Sequence, residues 1–264
     1  MDQGINERIH RLWDDLADFD ASRSDDALDY LLAGLCAIVD AQNANWMGAL
    51  RMPHIVPGDP VQGWRPHAVR FLRPSRPLND KVKEQIKSLE QGSVDETTVR
   101  NAALAGTFRV NRLADLAPEA WFDSAYYQCY YSGVGHADAI WAAVPVNEDA
   151  EAHLGIFRDA QHPRFSPDDC STVAYTLRGL KWFHRQQMLS HGALVAGAPL
   201  TPVERQILHR LLTGQAEKQI AAAQGQSYHT THEYISGIFR KFGVTNRAGL
   251  MALWLGKGAQ EPPV

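Results

Sequence analysis

Aromatic side chains with polar groups are concentrated between residues 46 and 141, and their spacing favours a wall that binds a small molecule. In a helix predicted to start near Pro118, Phe122, Tyr126 and Tyr130 recur every four residues and share one face. Tyrosine hydroxyls on an otherwise apolar wall can orient a small apolar or aromatic effector. The predicted ligand-binding residues are Trp46, Trp64, Trp121, Tyr126, Tyr127, Tyr130 and Trp141. The alternative is that these residues only pack in a core, with their hydroxyls satisfied.

The sequence lacks the common patterns of catalytic sites. It contains no G-x-x-x-x-G-K-[ST], G-x-S-x-G or H-E-x-x-H motif. His229 and His232 are spaced to share a helix face, but they lie in a C-terminal segment whose helices suggest a binding role, so a metal site there is not expected. Cys36, Cys129 and Cys170 are odd in number and far apart, which disfavours a disulfide framework and a zinc site. We therefore expect a protein that is not an enzyme and that holds no cofactor and no metal.

Helices and strands that would position the aromatic wall follow from hydrophobic periodicity. Two amphipathic helices come first; the second is capped near Ser24, and the apolar stripe of the first is Ile5, Ile9, Leu12, Trp13, Leu16 and Phe19. The predicted strands are residues 45–52, 68–72, 108–111, 137–146 and 151–159. A Pro-rich loop over 53–66, a helix over 80–90 and a helical segment over 97–105 lie between them. This order predicts an antiparallel sheet flanked by helices.

One long helix is predicted from about residue 167 to 190, because Ser166 can cap it, Pro167 suits its first position, and Asp168 and Asp169 favour a helix N-terminus. The small residues of 192–199, GALVAGAP, predict a flexible linker.

Four short helices are predicted after residue 200. Thr201 as N-cap, Pro202 at the first position and Glu204 three residues after the cap announce the first helix. The second helix ends at Gly225, and Ser227 caps the third. The third carries its inward residues at helical spacing: Ile235, Ile238, Phe239 and Phe242. A tight turn between the second and third helices makes a helix-turn-helix, which points to DNA.

Residues 200–258 resemble the LuxR-type (GerE-like) DNA-binding domain through LTPVERQIL, GQAEKQIA, SYHTT and IFRKFGVTNRA. The resemblance implies that the third helix enters the major groove of double-stranded DNA and that the fourth pairs two protomers of a homodimer. It implies base contacts from His232, Glu233 and Ser236, and phosphate contacts from Lys218, Thr230, Lys241 and Arg247. The complete set of DNA-binding residues predicted in this way is Lys218, Ser227, Thr230, His232, Glu233, Ser236, Arg240, Lys241 and Arg247.

Several positions depart from the family pattern. Gln224 and Gln226 flank the turn where the family has apolar residues, and Thr231 replaces the usual valine. A buried amide without a partner costs roughly 1–3 kcal/mol, so these side chains must find partners or the turn must be looser than usual. His232 stands beside the acidic Glu233 where a basic residue is common, which predicts weak non-specific binding and a pH dependence.

Charge separates the two parts of the chain. Residues 200–264 carry seven Lys or Arg and four Asp or Glu, a net charge of +3, whereas residues 1–199 carry 19 and 26, a net charge of −7. The segment from WFDSAYYQCYYSGVG through GIFRDAQHPRFSPDD resembles the GAF-like sensors that precede LuxR-type domains. The predicted fold class is α+β. A GAF/PAS-like sensory domain spans residues 1–190, a linker 191–199, and a four-helix LuxR-type domain 200–264.

These features predict a dimeric DNA-binding transcriptional regulator controlled by a small molecule or a partner bound to its N-terminal domain. Neither a signal pattern nor an apolar run of membrane-spanning length occurs, so a cytoplasmic protein without a membrane partner is expected. The alternative is a dimerisation or scaffold protein whose degenerate helix-turn-helix does not bind DNA.

Overall fold

Two compact units make up the chain in the computed structural model, which describes residues 3–52, 57–194 and 200–256. Unit boundaries fall after Ala17, after Ala27 and after His184, so residues 18–27 group with the C-terminal helices. No helix within these described residues is long and apolar enough to cross a membrane.

The N-terminal unit is built on a five-stranded antiparallel sheet, so the predicted sheet is confirmed. The strands are β1 (Asn43–Arg51), β2 (Trp64–Phe71), β3 (Arg109–Arg112), β4 (Asp138–Asn147) and β5 (Ala150–Arg158). Their order across the sheet is β2-β1-β5-β4-β3. β2 includes Trp64, Arg65 and Pro66, which the sequence placed in a loop; they pair with β1, past a register shift at Gly48 and Ala49. Pro53–Val56 of that loop lie outside the described residues.

Helices precede, interrupt and follow the strands. They are α1 (Gln3–Ala17), α2 (Ser24–Ile38), α3 (Arg76–Glu90), α4 (Glu96–Ala102), α5 (Leu113–Leu116), α6 (Ala125–Tyr130), α7 (Pro167–Arg178) and α8 (Lys181–Ser190). Phe19, predicted in the first helical stripe, lies beyond the end of α1. One face of the sheet buries residues that alternate with those of the other face: Ala44, Trp46, Ile140, Ala142, Leu154 and Ile156.

The prediction of one long helix over 167–190 is wrong. Its start is right: Ser166 and Asp169 form a capping box with Pro167 at the first position. The helix ends at Arg178, Gly179 is its C-cap, and a new helix begins at Lys181. Glycine loses the most backbone entropy in a helix, so the chain breaks where Leu180 turns into the core, at 2% exposure.

Within the described residues 200–256 of the C-terminal unit, the chain forms four helices as the sequence predicts: α9 (Pro202–Leu212), α10 (Glu217–Gln224), α11 (Tyr228–Lys241) and α12 (Arg247–Trp254). The Thr201 hydroxyl accepts from Glu204 N, and the Glu204 carboxylate accepts from Thr201 N at 2.7 Å, which confirms the predicted cap. Gly225 ends α10 in the left-handed conformation at φ +62°, so the turn before α11 is tight. The predicted linker falls partly on residues 195–199, which are outside the described residues.

The core of this unit is formed by apolar residues of all four helices. Its buried members include Ile207, Leu208, Leu211, Ile220, Ile235, Ile238, Phe242, Leu250 and Trp254. Two further contacts attach residues 18–27 to α9. Arg205 pairs with Asp25 at 2.7 Å, and the Ser24 hydroxyl lies 3.0 Å from His209 Nε2.

Two polar atoms near the tight turn are buried without partners among the described residues. They are the hydroxyl of Thr231, a residue with 0% exposure, and the side-chain carbonyl of Gln226. The expectation that these polar side chains find partners is therefore wrong for Thr231 and for the carbonyl of Gln226. Each buried polar atom without a hydrogen bond lowers the stability of the folded state.

Replacing Thr231 with valine should stabilise the C-terminal unit by about 1 kcal/mol, since valine has the same shape and removes the unsatisfied hydroxyl. Urea denaturation of the full chain measures the change. Thr245→Val, at an exposed loop position, is the control and should have little effect. A loss of stability in Thr231→Val would show that the hydroxyl has a partner in solution.

Candidate functional site

A cavity of about 640 Å³ lies in the N-terminal unit between one face of the sheet and helices α3, α4 and α6. Most small-molecule sites in proteins have volumes of about 300–1,000 Å³, so this cavity has room for one ligand. Alternation along β1 turns Asn45, Met47 and Ala49 towards it. Apolar side chains form much of its surface: Met47, Val61, Val69, Val82, Ile86 and Leu89.

Four of the predicted ligand-binding aromatics line this cavity: Trp64, Tyr126, Tyr130 and Trp141. The other three do not. Trp46 is fully buried on the opposite face of the sheet. Trp121 is covered by the tyrosines, and its Nε1 donates to Asp95 at 2.9 Å. Tyr127 donates its hydroxyl to the carbonyl of Ala137 at 2.9 Å.

The predicted helix from Pro118 is wrong, and this explains why the aromatics separate. Glu119–Asp123 form a 3₁₀ turn, and Ser124 then caps α6 by accepting from Tyr127 N. Phe122 therefore precedes the helix and meets the Trp121 ring edge to face, at 5.5 Å between centroids. Tyr126 and Tyr130 still share a face of α6, with their rings 4.7 Å apart.

A buried polar cluster, which the sequence did not predict, forms one end of the cavity. Arg109 of β3 donates two hydrogen bonds to Glu151 of β5, at 2.9 and 3.1 Å, and these side chains are 6% and 0% exposed. His153, two residues along β5, lies 3.1 Å from the same carboxylate. Arg109 also donates to Asn101 at 2.5 Å. Burial alone would raise the pKa of Glu151, but the hydrogen bonds from His153 and Arg109 outweigh it and hold the pKa at about 2.

Two tyrosine hydroxyls on the cavity wall accept hydrogen bonds from neighbouring side chains. Tyr126 accepts from the Gln85 amide at 3.0 Å, and burial raises the pKa of Tyr126 to about 12. Tyr131 accepts from Trp141 Nε1 at 3.2 Å and is 6% exposed. Tyr126 also shares a hydrogen bond with the Thr98 side chain, whereas the hydroxyl proton of Tyr131 has no acceptor recorded in the described part of the chain. Tyr131 is therefore a neutral donor that a carbonyl oxygen of a ligand can accept from.

In the C-terminal unit, α11 exposes the residues predicted to contact bases and phosphates. His232 and Glu233 are exposed and Ser236 is half-buried. His232 Nδ1 lies 3.0 Å from the Glu217 carboxylate, at the start of α10. Tyr228, which was not among the predicted residues, stacks on His232 and is 52% exposed.

The predicted phosphate-binding residues differ in their engagement. Lys241 Nζ contacts the Glu204 carboxylate at 2.8 Å, and Arg247 donates to the carbonyl of Gln215. Lys218 and Arg240 are exposed and have no recorded side-chain partner in residues 200–256. Ser227 and Thr230 are exposed too, but they already bond to each other at the N-cap of α11. Thr230 N donates to the Ser227 hydroxyl, which also bonds the Thr230 hydroxyl.

Residues 198–253 match the family model described as "Bacterial regulatory proteins, luxR family". The C-terminal domain is a LuxR-type domain. This match and the four helices around a tight turn confirm the predicted resemblance for that part of the chain.

A probable HTH-type transcriptional regulator, GfsR of Streptomyces halstedii, is 37% identical to this chain over 62 residues. That match covers 24% of this chain and 26% of GfsR, so the chain matches about a quarter of its relative's length. Among solved structures, SdiA in complex with octanoyl-rac-glycerol is 11% identical at a TM-score of 0.49, covering 98% of this chain and 97% of SdiA. The VqsR LBD domain from Pseudomonas aeruginosa is 14% identical at a TM-score of 0.45, covering 71% and 98%.

Proposed function

We propose that this protein is a DNA-binding transcriptional regulator controlled by a small molecule bound in its N-terminal cavity. The observation that carries the proposal is the LuxR-type domain, whose α11 follows a tight turn and exposes polar residues along one side. In helix-turn-helix domains this helix enters the major groove. We divide the chain functionally into a sensory part at 1–190, with a GAF/PAS-like role, a linker at 191–199 and the DNA-binding part at 200–264.

Base reading in this proposal belongs to His232, Glu233 and Ser236. A carboxylate can accept from cytosine N4, and a serine hydroxyl can pair with several base edges. Glu217 orients the His232 ring in the absence of DNA. Lys218 and Arg240 are the main phosphate-binding residues in this proposal. Lys241 and Arg247 already contact Glu204 and Gln215, so they must weaken or break those contacts before they bind a phosphate.

The ligand of the cavity is small, mostly apolar and without net charge. Apolar side chains dominate the lining, and Arg109, the cation at the deep end, is already paired with Glu151. An anionic or cationic ligand would lose its hydration without gaining an unpaired counter-charge at that end. Binding regulates DNA affinity only to the extent that the ligand prefers the DNA-competent state. The active form we propose is a cytoplasmic homodimer that contacts two half-sites.

Capture of genomic fragments by the purified full chain tests this function. Sequencing the bound fragments should reveal a common site with two related halves. A folded protein that binds no DNA even at low salt would instead support the alternative, a scaffold or dimerisation protein with a degenerate helix-turn-helix. That alternative is favoured by one observation: His232 and Lys241 both pair with carboxylates of their own domain.

Lys218→Ala should weaken DNA binding and flatten its salt dependence. Each phosphate contact releases counterions, so its loss should reduce the slope of log affinity against log salt by about 1. Titration of labelled DNA at several salt concentrations gives the slope. Lys83→Ala, at an exposed lysine of α3, is the matched control and should leave the slope unchanged. Equal slopes for Lys218→Ala and the parent protein would remove Lys218 from the interface.

A further inference from the structure

Cys129 of α6, which lines the cavity, forms a pair with the ammonium group of Lys81 of α3, which lies behind the lining. Lys81 Nζ donates to Cys129 Sγ at 2.8 Å. The ammonium is held there by Glu84, at 2.8 Å, and lies 5.3 Å from the centre of the Tyr130 ring. The Cys129 sulfur, which lines the cavity, therefore lies directly beside a positive charge.

Lys81 keeps its proton in this arrangement. Its pKa is raised, chiefly by the hydrogen bond to Cys129 and then by that to Glu84. Among the described residues, neither of the other two cysteines accepts a hydrogen bond from an ammonium group, although Arg73 lies near Cys36 and Arg112 near Cys170. Burial raises the pKa of Cys36 to about 11, and burial also raises the pKa of Cys170. Cys129 therefore has a distinct environment among the three thiols.

The same wall carries a donor that would activate a carbonyl group. Tyr126 lies three residues before Cys129 on α6, so both side chains share the helix face that lines the cavity. Tyr131, 6% exposed, lines it too, and its hydroxyl proton has no recorded acceptor among the described residues. A nucleophile next to a neutral O–H donor in an apolar chamber suits one class of ligand: a carbonyl compound with a conjugated carbon–carbon double bond.

We propose that the cavity takes an apolar α,β-unsaturated carbonyl compound and that Cys129 adds to it covalently. This inference rests on the proposed function, because it names the chemistry of the effector in the same cavity. The ligand's carbonyl oxygen accepts from Tyr131, and its tail lies against the apolar lining.

The addition is balanced without an oxidant or a reductant. A lone pair of the Cys129 sulfur forms a carbon–sulfur bond at the β-carbon as the thiol proton leaves to water, and the π electrons of the double bond move towards the carbonyl oxygen. The resulting enolate is stabilised by the Tyr131 hydroxyl. The α-carbon then takes a proton from the Lys81 ammonium or from water, which replaces the proton that the thiol lost. The product is a saturated carbonyl compound attached as a thioether.

Pentyl vinyl ketone, an apolar enone, tests the inference on the full chain. Intact mass should increase by one molecule of the enone, and peptide mapping should place it on Cys129 and not on Cys36 or Cys170. The rate should saturate with enone concentration, because binding precedes reaction. Lys81→Met, which keeps the chain length and removes the charge, should slow the reaction about tenfold. Lys81→Arg should retain part of the rate.

Two results would overturn the inference: labelling spread over all three cysteines, or an unchanged rate in Lys81→Met that is still folded by circular dichroism. Ethyl pentyl ketone, the saturated analogue, separates this inference from the proposed function. If it protects Cys129 from iodoacetamide while the enone does not add, the cavity binds apolar carbonyl compounds and only the covalent step is wrong. If neither compound affects Cys129, the ligand class is wrong as well, whereas genomic capture still tests DNA binding on its own.

Discussion

Replacing Arg109 with methionine should destabilise the N-terminal unit by about 3–5 kcal/mol, the usual cost of leaving one charge of a buried pair without its partner. Methionine fills much of the same space, so the loss comes from Glu151, which is 0% exposed and would keep only its contacts with His153 and Gly106 N. Urea denaturation followed by tryptophan fluorescence measures the change.

The double variant Arg109→Met/Glu151→Leu is the control. Removing both charges leaves no uncompensated carboxylate, so most of the lost stability should return. A double variant as unstable as Arg109→Met would show that lost packing, and not the stranded charge, causes the effect.

The same pair predicts how stability depends on pH. The pKa of Glu151 is held at about 2, below the ordinary glutamate value of 4.5, so the pair stabilises the folded state fully at pH values above 4.5. That contribution should fall as the pH is lowered from 4.5 towards 2. The double variant should lose less stability than the parent protein over that interval.

Trp121→Ala should also cost about 3–5 kcal/mol, as truncation of a buried aromatic residue usually does. Trp121 is 6% exposed and contacts the rings of Phe122, Tyr126, Tyr127 and Tyr131. Removing the indole ring would leave an unfilled space behind the tyrosines that it contacts. The melting temperature should therefore fall, and the rate at which the enone labels Cys129 should change.

Trp121→Phe separates the ring from its hydrogen bond. Phenylalanine keeps most of the buried surface and loses only the bond from Nε1 to Asp95, so the expected cost falls to about 1 kcal/mol. Ligand binding should be nearly normal, since Trp121 is not part of the lining. If Trp121→Phe lost ligand affinity but kept normal stability, the prediction that Trp121 binds the ligand would be correct after all.

Local signals in the sequence were enough to predict most elements of this fold. Capping boxes at Thr201 and Ser166 and the period-two pattern of β4 and β5 each act within a few residues, so they can be read from the chain directly. The break at Gly179 was missed because helical periodicity continues on both sides of it. A glycine inside a periodic segment was the available signal.

The cavity was harder to predict than the strands. Aromatic density identified Trp64, Tyr126, Tyr130 and Trp141, but a count of aromatics cannot tell which face of the sheet holds Trp46. Arg109 and Glu151 are 42 residues apart, and only the strand order brings them together through β4. Glu151 and His153, alternating with apolar residues in a strand, were the one trace of this cluster in the sequence.

The contacts that Lys241 and Arg247 make within the LuxR-type domain also affect how the protein would search a chromosome for its site. Lys241 and Arg247 are occupied by Glu204 and Gln215, which leaves Lys218 and Arg240 as the described cations of residues 200–256 without a recorded partner. Sliding along unrelated sequence depends on such phosphate contacts. With so few, each encounter with bulk DNA should be brief, and occupancy of a promoter should depend mainly on how well its bases fit the exposed side of α11.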